Sequence, residues 1–133
     1  MLSAFFGGEM ELNAKTLYVF GNEFLDFDSF AQKISKEISK KIKIVQAISP
    51  EILLDSKDEE LLILDVVKNI RKPAIIEDAS RIMTKNIVSL HDFDLGFFLK
   101  LMNEMKINKK LKIIGVPSKG NAAKIAKEVE KWL

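Results

Sequence analysis

The chain contains no cysteine and a single histidine, His91. Without cysteine there is no thiol nucleophile, no disulfide scaffold, no zinc-thiolate centre and no protein-ligated iron–sulfur cluster. Any metal must be held by oxygen and nitrogen donors, and any imidazole chemistry must pass through one position. Long hydrophobic runs are also lacking: none reaches the roughly 18 apolar residues of a membrane span, so no membrane association is expected. Neither sign of charge dominates. With 21 Lys and Arg against 19 Asp and Glu the net charge is +2, too small to imply a nucleic-acid partner, and the lysines do not cluster beside aromatics. The densest run, Lys36 to Lys43, reads as a solvated helix end whose cations suit the helix dipole. Ala4-Phe5-Phe6-Gly7-Gly8 near the start is followed by Glu9 and Glu11 with no basic region before it, which argues against a secretory signal and for a cytoplasmic protein.

What is present is an ordinary globular composition: 133 residues, 47% hydrophobic and 30% charged. A chain of this length buries a core without disulfides or a structural metal, and no linker or internal repeat divides it. One domain over residues 1–133 is expected, with 1–15 as an N-terminal extension and a monomer as the default state.

Short apolar runs alternate with amphipathic ones. Thr16 to Phe20 predicts a strand stopped by Gly21-Asn22. Phe30, Ile34 and Ile38 then recur at four-residue spacing, predicting a helix that Asp26, Asp28 or Ser29 could cap. Ile42 to Val45 reads as a second strand, and Ser49-Pro50-Glu51 opens a short helix over 50–54. Leu61 to Val67 is a near-continuous apolar run, the pattern of a central strand covered on both faces. Ala74 to Ile76 predicts a further strand. Leu95, Phe98, Leu99 and Met102 share a helical face, with Asp92 or Asp94 as caps. Leu111 to Val116 is the last strand and 121–132 the last helix, with Ile125, Val129 and Trp132 inward. This alternation predicts an α/β fold: a single three-layer domain with a mostly parallel central sheet and helices on both faces.

In such folds ligands bind at the carboxyl ends of the strands. Asp28 follows the first strand, Asp65 interrupts the third near its end, and His91 precedes a helix, so all three could meet at one edge. Each also has a plain structural reading. Asp28 could be a helix cap, Asp65 a carboxylate at an exposed strand end, and His91 a surface or core histidine. Together, two carboxylates and one imidazole form a mixed donor set suited to nickel, zinc or iron(II), with coordination positions left open.

The order of these features resembles the maturation endopeptidases of nickel-iron hydrogenases over about residues 17–116. The likeness rests on the strand followed by Gly21-Asn22 and Asp28, on the apolar strand carrying Asp65, and on Leu90-His91 before a Leu-rich helix. Ile114-Gly115-Val116-Pro117 is similar to a further strand and turn of that family. In the family's opening motif two acids and a glycine follow Gly-Asn; here those positions hold Phe27, Asp28 and Ser29. The resemblance implies that Asp28, Asp65 and His91 ligate a divalent metal: nickel presented by the substrate, or another divalent ion. It further implies catalysis at the same residues and, as substrate and partner, the precursor of a hydrogenase large subunit, from which a C-terminal peptide is removed. The family's Asp-Gly-Gly-Thr motif is replaced by Gln46-Ala47-Ile48-Ser49. Gln46 cannot act as a carboxylate base, and the glycines that admit a peptide backbone closely are gone. Glu51 or Asp55 could substitute in space. The alternative is a non-proteolytic relative, a metal-recognising chaperone or binding protein of the precursor. A third reading is a doubly wound domain holding a small ligand.

Other motifs are weaker. Gly115 to Gly120 lacks the order of a phosphate loop. No serine, among Ser29, Ser49, Ser80, Ser89 and Ser118, sits in a nucleophile elbow with His91. Phe97, Phe98 and Met102 read as core.

Overall fold

A computed structural model of the protein describes residues 15–20, 29–47, 49–67, 70–77 and 95–133. Five strands are formed by them: β1 (Thr16–Phe20), β2 (Lys43–Ala47), β3 (Glu60–Val66), β4 (Ala74–Ile76) and β5 (Lys110–Val116). The order across the sheet is β2-β1-β3-β5-β4. β1 runs parallel to β2 and β3, and β3 parallel to β5, while β4 is antiparallel to β5. The α/β fold with a mostly parallel sheet is as the alternation predicts. The lone antiparallel strand is a short edge, where reversal costs no crossover connection.

The pleat separates two cores. Leu17 and Val19 of β1, Leu62, Leu64 and Val66 of β3, and Ile114 and Val116 of β5 face one side. There they pack against α1 (Ser29–Lys36) through Phe30, Ala31 and Ile34, and against α3 (Ala122–Glu130) through Ala126 and Val129. Tyr18, Phe20, Leu61, Ile63, Leu111 and Ile113 face the other side. They meet Leu53 of a 3-10 helix (Pro50–Asp55) and Phe98 and Met102 of α2 (Leu95–Glu104). β3 is buried on both faces, which is why Leu61 to Val67 reads as a near-continuous apolar run.

The helices end for local reasons. α1 stops at Lys36, short of the Phe30–Ile34–Ile38 pattern: the Ser35 hydroxyl donates to the Gln32 carbonyl at 2.7 Å, and Glu37 and Ile38 bond back three residues. That tightens the last turn out of the α geometry, though Ile38 still packs on the core. Pro50 opens a six-residue 3-10 helix, Pro50–Asp55. Asn121 caps α3, its side-chain oxygen accepting the Lys124 N–H at 3.1 Å. α2 ends on Lys106, a non-glycine residue at φ 57°, with the Ile107 N–H reaching the Met102 carbonyl at 2.9 Å. That is the left-handed cap that glycine ordinarily supplies.

Phe97 corrects the sequence expectation of a core residue. It is 45% exposed, whereas its neighbour Phe98 is fully buried. Successive helical positions lie about 100° apart, and only one of the pair can face the sheet.

Candidate functional site

Because β1, β2, β3 and β5 are parallel, their carboxyl ends lie at one edge, and β1 and β3 leave the sheet's centre side by side there. The chain passes from β1 to α1 on one face, while α2 lies on the other, so this is the point where connections diverge to opposite faces. Crevices of this kind hold ligands in open α/β sheets.

Asp65 stands in this position. It is the penultimate residue of β3 and is fully buried, one of two buried polar side chains among the described residues; Ser35 is the other. Its place in the pleat, in step with Leu61 and Ile63, puts it on the face covered by the 3-10 helix and α2. The Val66 N–H donates to Asp65 Oδ1 at 2.8 Å. A carboxylate removed from water costs several kcal/mol unless hydrogen bonds or opposite charge compensate, and the Val66 N–H supplies part of that compensation.

The strand beside it is shaped to match. Asp65 pairs in register with Gly115 of β5, and Gly115 pairs on its other side with Ala74 of β4. A Cβ at Gly115 would come within 2.5 Å of Val67 Cγ2. Val67 itself is buried and is bound to β5 through its N–H and the Val116 carbonyl at 2.9 Å. Gly115 thus lets Val67, two residues after Asp65, pack closely against β5, a close approach that requires glycine. Sequence reasoning noted Gly115 in the Ile114-Gly115-Val116-Pro117 turn without seeing this packing role.

Of the three sequence-predicted site residues, the structure describes Asp65 alone. Asp28, the residue before α1, and His91, four residues before α2, lie outside the described residues, as do the caps considered at Asp26, Asp92 and Asp94 and the 1–14 stretch. Among the described residues no group of three His, Asp or Glu side chains forms a metal-binding cluster, and no helix is long and apolar enough to cross a membrane.

Gln46 is described, and its place is informative. It lies in β2 opposite Val19 of β1, exposed, on the α1/α3 side of the pleat with Ile44. Asp65 lies on the other side. The two positions are separated by β1 and by the thickness of the sheet, so Gln46 and Asp65 are not neighbours on one surface. Glu51 and Asp55, weighed as substitutes for a missing acid, belong to the 3-10 helix on Asp65's side, and both are exposed.

The chain matches no protein-family model and no curated protein. Among solved structures it is similar to a hydrogenase 2 maturation peptidase from a Thaumarchaeota archaeon. Identity is 18% with a TM-score of 0.45, over 87% of this chain and 92% of that one.

Proposed function

We propose that this protein is an endopeptidase of the hydrogenase-maturation kind, which recognises nickel in the precursor of a hydrogenase large subunit and removes the precursor's C-terminal peptide. The observation that carries the reading is Asp65: a fully buried carboxylate at the carboxyl end of a central parallel strand, beside a glycine notch and under the helix that His91 precedes. The sequence motifs resembling the family supply the rest, with Asp28 and His91 completing the donor set. Two carboxylates and an imidazole bind a borderline divalent ion while leaving positions open, and an open position is what recognition of a metal already held by a substrate requires. For the hydrolytic step, a carboxylate of the set accepts a proton from the attacking water and returns it to the departing amine, so that water is added across one C–N bond.

Incubation of nickel-loaded precursor with the protein, followed by intact-mass measurement, tests the reading: a C-terminal peptide is lost, and the loss requires Asp65 and His91. A precursor of unchanged mass rejects proteolysis. Gln46 favours a second reading, because the exposed glutamine stands where the family's motif has its aspartate. On that reading the protein binds the metal-loaded precursor without cutting it. His91-dependent binding with no mass change separates the two.

A further inference from the structure

Among the described residues the sheet has an open edge at β2. In a parallel ladder, alternate residues of a strand direct both backbone groups to one neighbour. The Lys43 N–H bonds to the Lys15 carbonyl at 3.0 Å, and Lys43, Val45 and Ala47 therefore face β1. Ile44 and Gln46 turn their N–H and C=O groups outward, and among the described residues no hydrogen bond takes them up. The strand is only half-covered by side chains, with Lys43 and Gln46 exposed and Ile44 and Val45 intermediate.

Charge is concentrated along the approach to this edge. Between residues 33 and 43 there are five lysines, Lys33, Lys36, Lys40, Lys41 and Lys43, against the one acid Glu37, and all six are exposed. Set against +2 for the whole chain, this stretch alone carries +4 (five minus one). Its turn is held in place from outside: Glu130 of α3 accepts the Ser39 N–H at 2.6 Å, the Ser39 hydroxyl at 2.9 Å and the Lys40 N–H at 3.1 Å. The lysines are thus presented from a fixed backbone at the start of the open strand.

We propose that β2 is a docking edge for an acidic peptide, which adds to the sheet as a sixth strand. The outward groups of Ile44 and Gln46 supply main-chain hydrogen bonds, and Lys40, Lys41 and Lys43 pair with the peptide's carboxylates. The inference does not depend on the peptidase reading, since it concerns the β2 edge, which β1 separates from Asp65's strand.

The test uses a fluorescein-labelled, blocked Glu-Val-Glu-Val-Glu-Val peptide, its Lys-Val counterpart and an oligothymidine, each titrated into the full chain. Amide exchange at Ile44 and Gln46 is followed by NMR. The acidic peptide is expected to bind best, to slow exchange at both amides, and to weaken as salt is raised. Gln46→Pro removes an outward N–H and leaves the β1 ladder intact; it should weaken binding about tenfold. The paired change Lys41→Glu with Lys43→Glu should do the same through charge, and it decides the matter should the proline variant not fold. Equal binding of the Lys-Val peptide, unchanged exchange at Ile44 and Gln46, or tighter binding of the oligothymidine overturns the proposal. So does absence of peptide binding, which would leave the lysines only as guards against edge-to-edge association.

Discussion

The two faces of the sheet are built differently. On one, α1 and α3 cover β1, β3 and β5 with amphipathic surfaces, and the Glu130 clasp ties α3 to the turn before β2. On the other, one 3-10 turn and one helix provide the described cover. That helix, α2, exposes Phe97, and Met105 just after it is exposed too, while the buried acid Asp65 lies on this side of the sheet. A face that only stabilises can be apolar within and charged without. The other face carries in addition an exposed aromatic ring and a buried carboxylate, the latter being the feature on which the proposed function rests.

The largest effects should test whether both faces contribute equally to folding. Phe98→Ala empties the core under α2, and Ile34→Ala the core under α1; both residues are fully buried. Losses of about 3–5 kcal/mol for the former and about 2–5 for the latter are expected in urea unfolding. A markedly smaller loss for Phe98→Ala would show the α2 face to be loosely packed and would sharpen the contrast.

Next comes Asp65→Asn, which retains an acceptor for the Val66 N–H and removes the charge. On the proposed function, precursor cleavage should fall about 100-fold or more while stability changes by about 1 kcal/mol or less. Equal activity of variant and parent would return Asp65 to a structural role and erase the distinction between the faces. Gly115→Ala should act more mildly. The new Cβ collides with Val67 Cγ2, and displacement of Val67 is expected to cost about 1–3 kcal/mol, measured by the thermal midpoint.

The same contrast explains what could be read in advance. β3 and β5 are legible because burial on both faces leaves mostly apolar seven-residue strands, and Asp65 stands out because it breaks the apolar run of β3. α3 is legible from its periodicity and from Asn121. The end of α1 is not, because Ser35 bonding back to Gln32 is a local competition that spacing does not encode. Nor is the direction of β4, since three residues of Ala-Ile-Ile pair equally well either way. The side of the sheet on which Gln46 and Asp65 lie depends on strand order and register, which are long-range properties. Resemblance of motifs alone therefore aligned Gln46 with a catalytic position while the pleat sets it on the face away from Asp65.

The smallest effect concerns the stabilising face alone and is readable through pH. Hydrogen bonds from the Ser39 backbone and hydroxyl, then from the Lys40 backbone, hold the Glu130 carboxyl below its ordinary value of 4.5. An acid whose folded-state pKa is depressed binds fewer protons when folded than when unfolded. The clasp therefore stabilises the fold fully above about pH 4.5 and loses that contribution as pH falls through the lowered value. Glu130→Gln should be less stable than the parent at pH 7, and the difference should shrink as the pH is lowered below 4.5. The carboxylate lies at the surface, so added salt should narrow the gap at pH 7 only through the weak attraction of Lys40 and leave the three hydrogen bonds in place. No gap at pH 7 would mean that the clasp works by geometry, with the amide accepting the same donors as well as the carboxylate does. It would then place all charge-dependent behaviour of the molecule on the Asp65 face and the β2 edge.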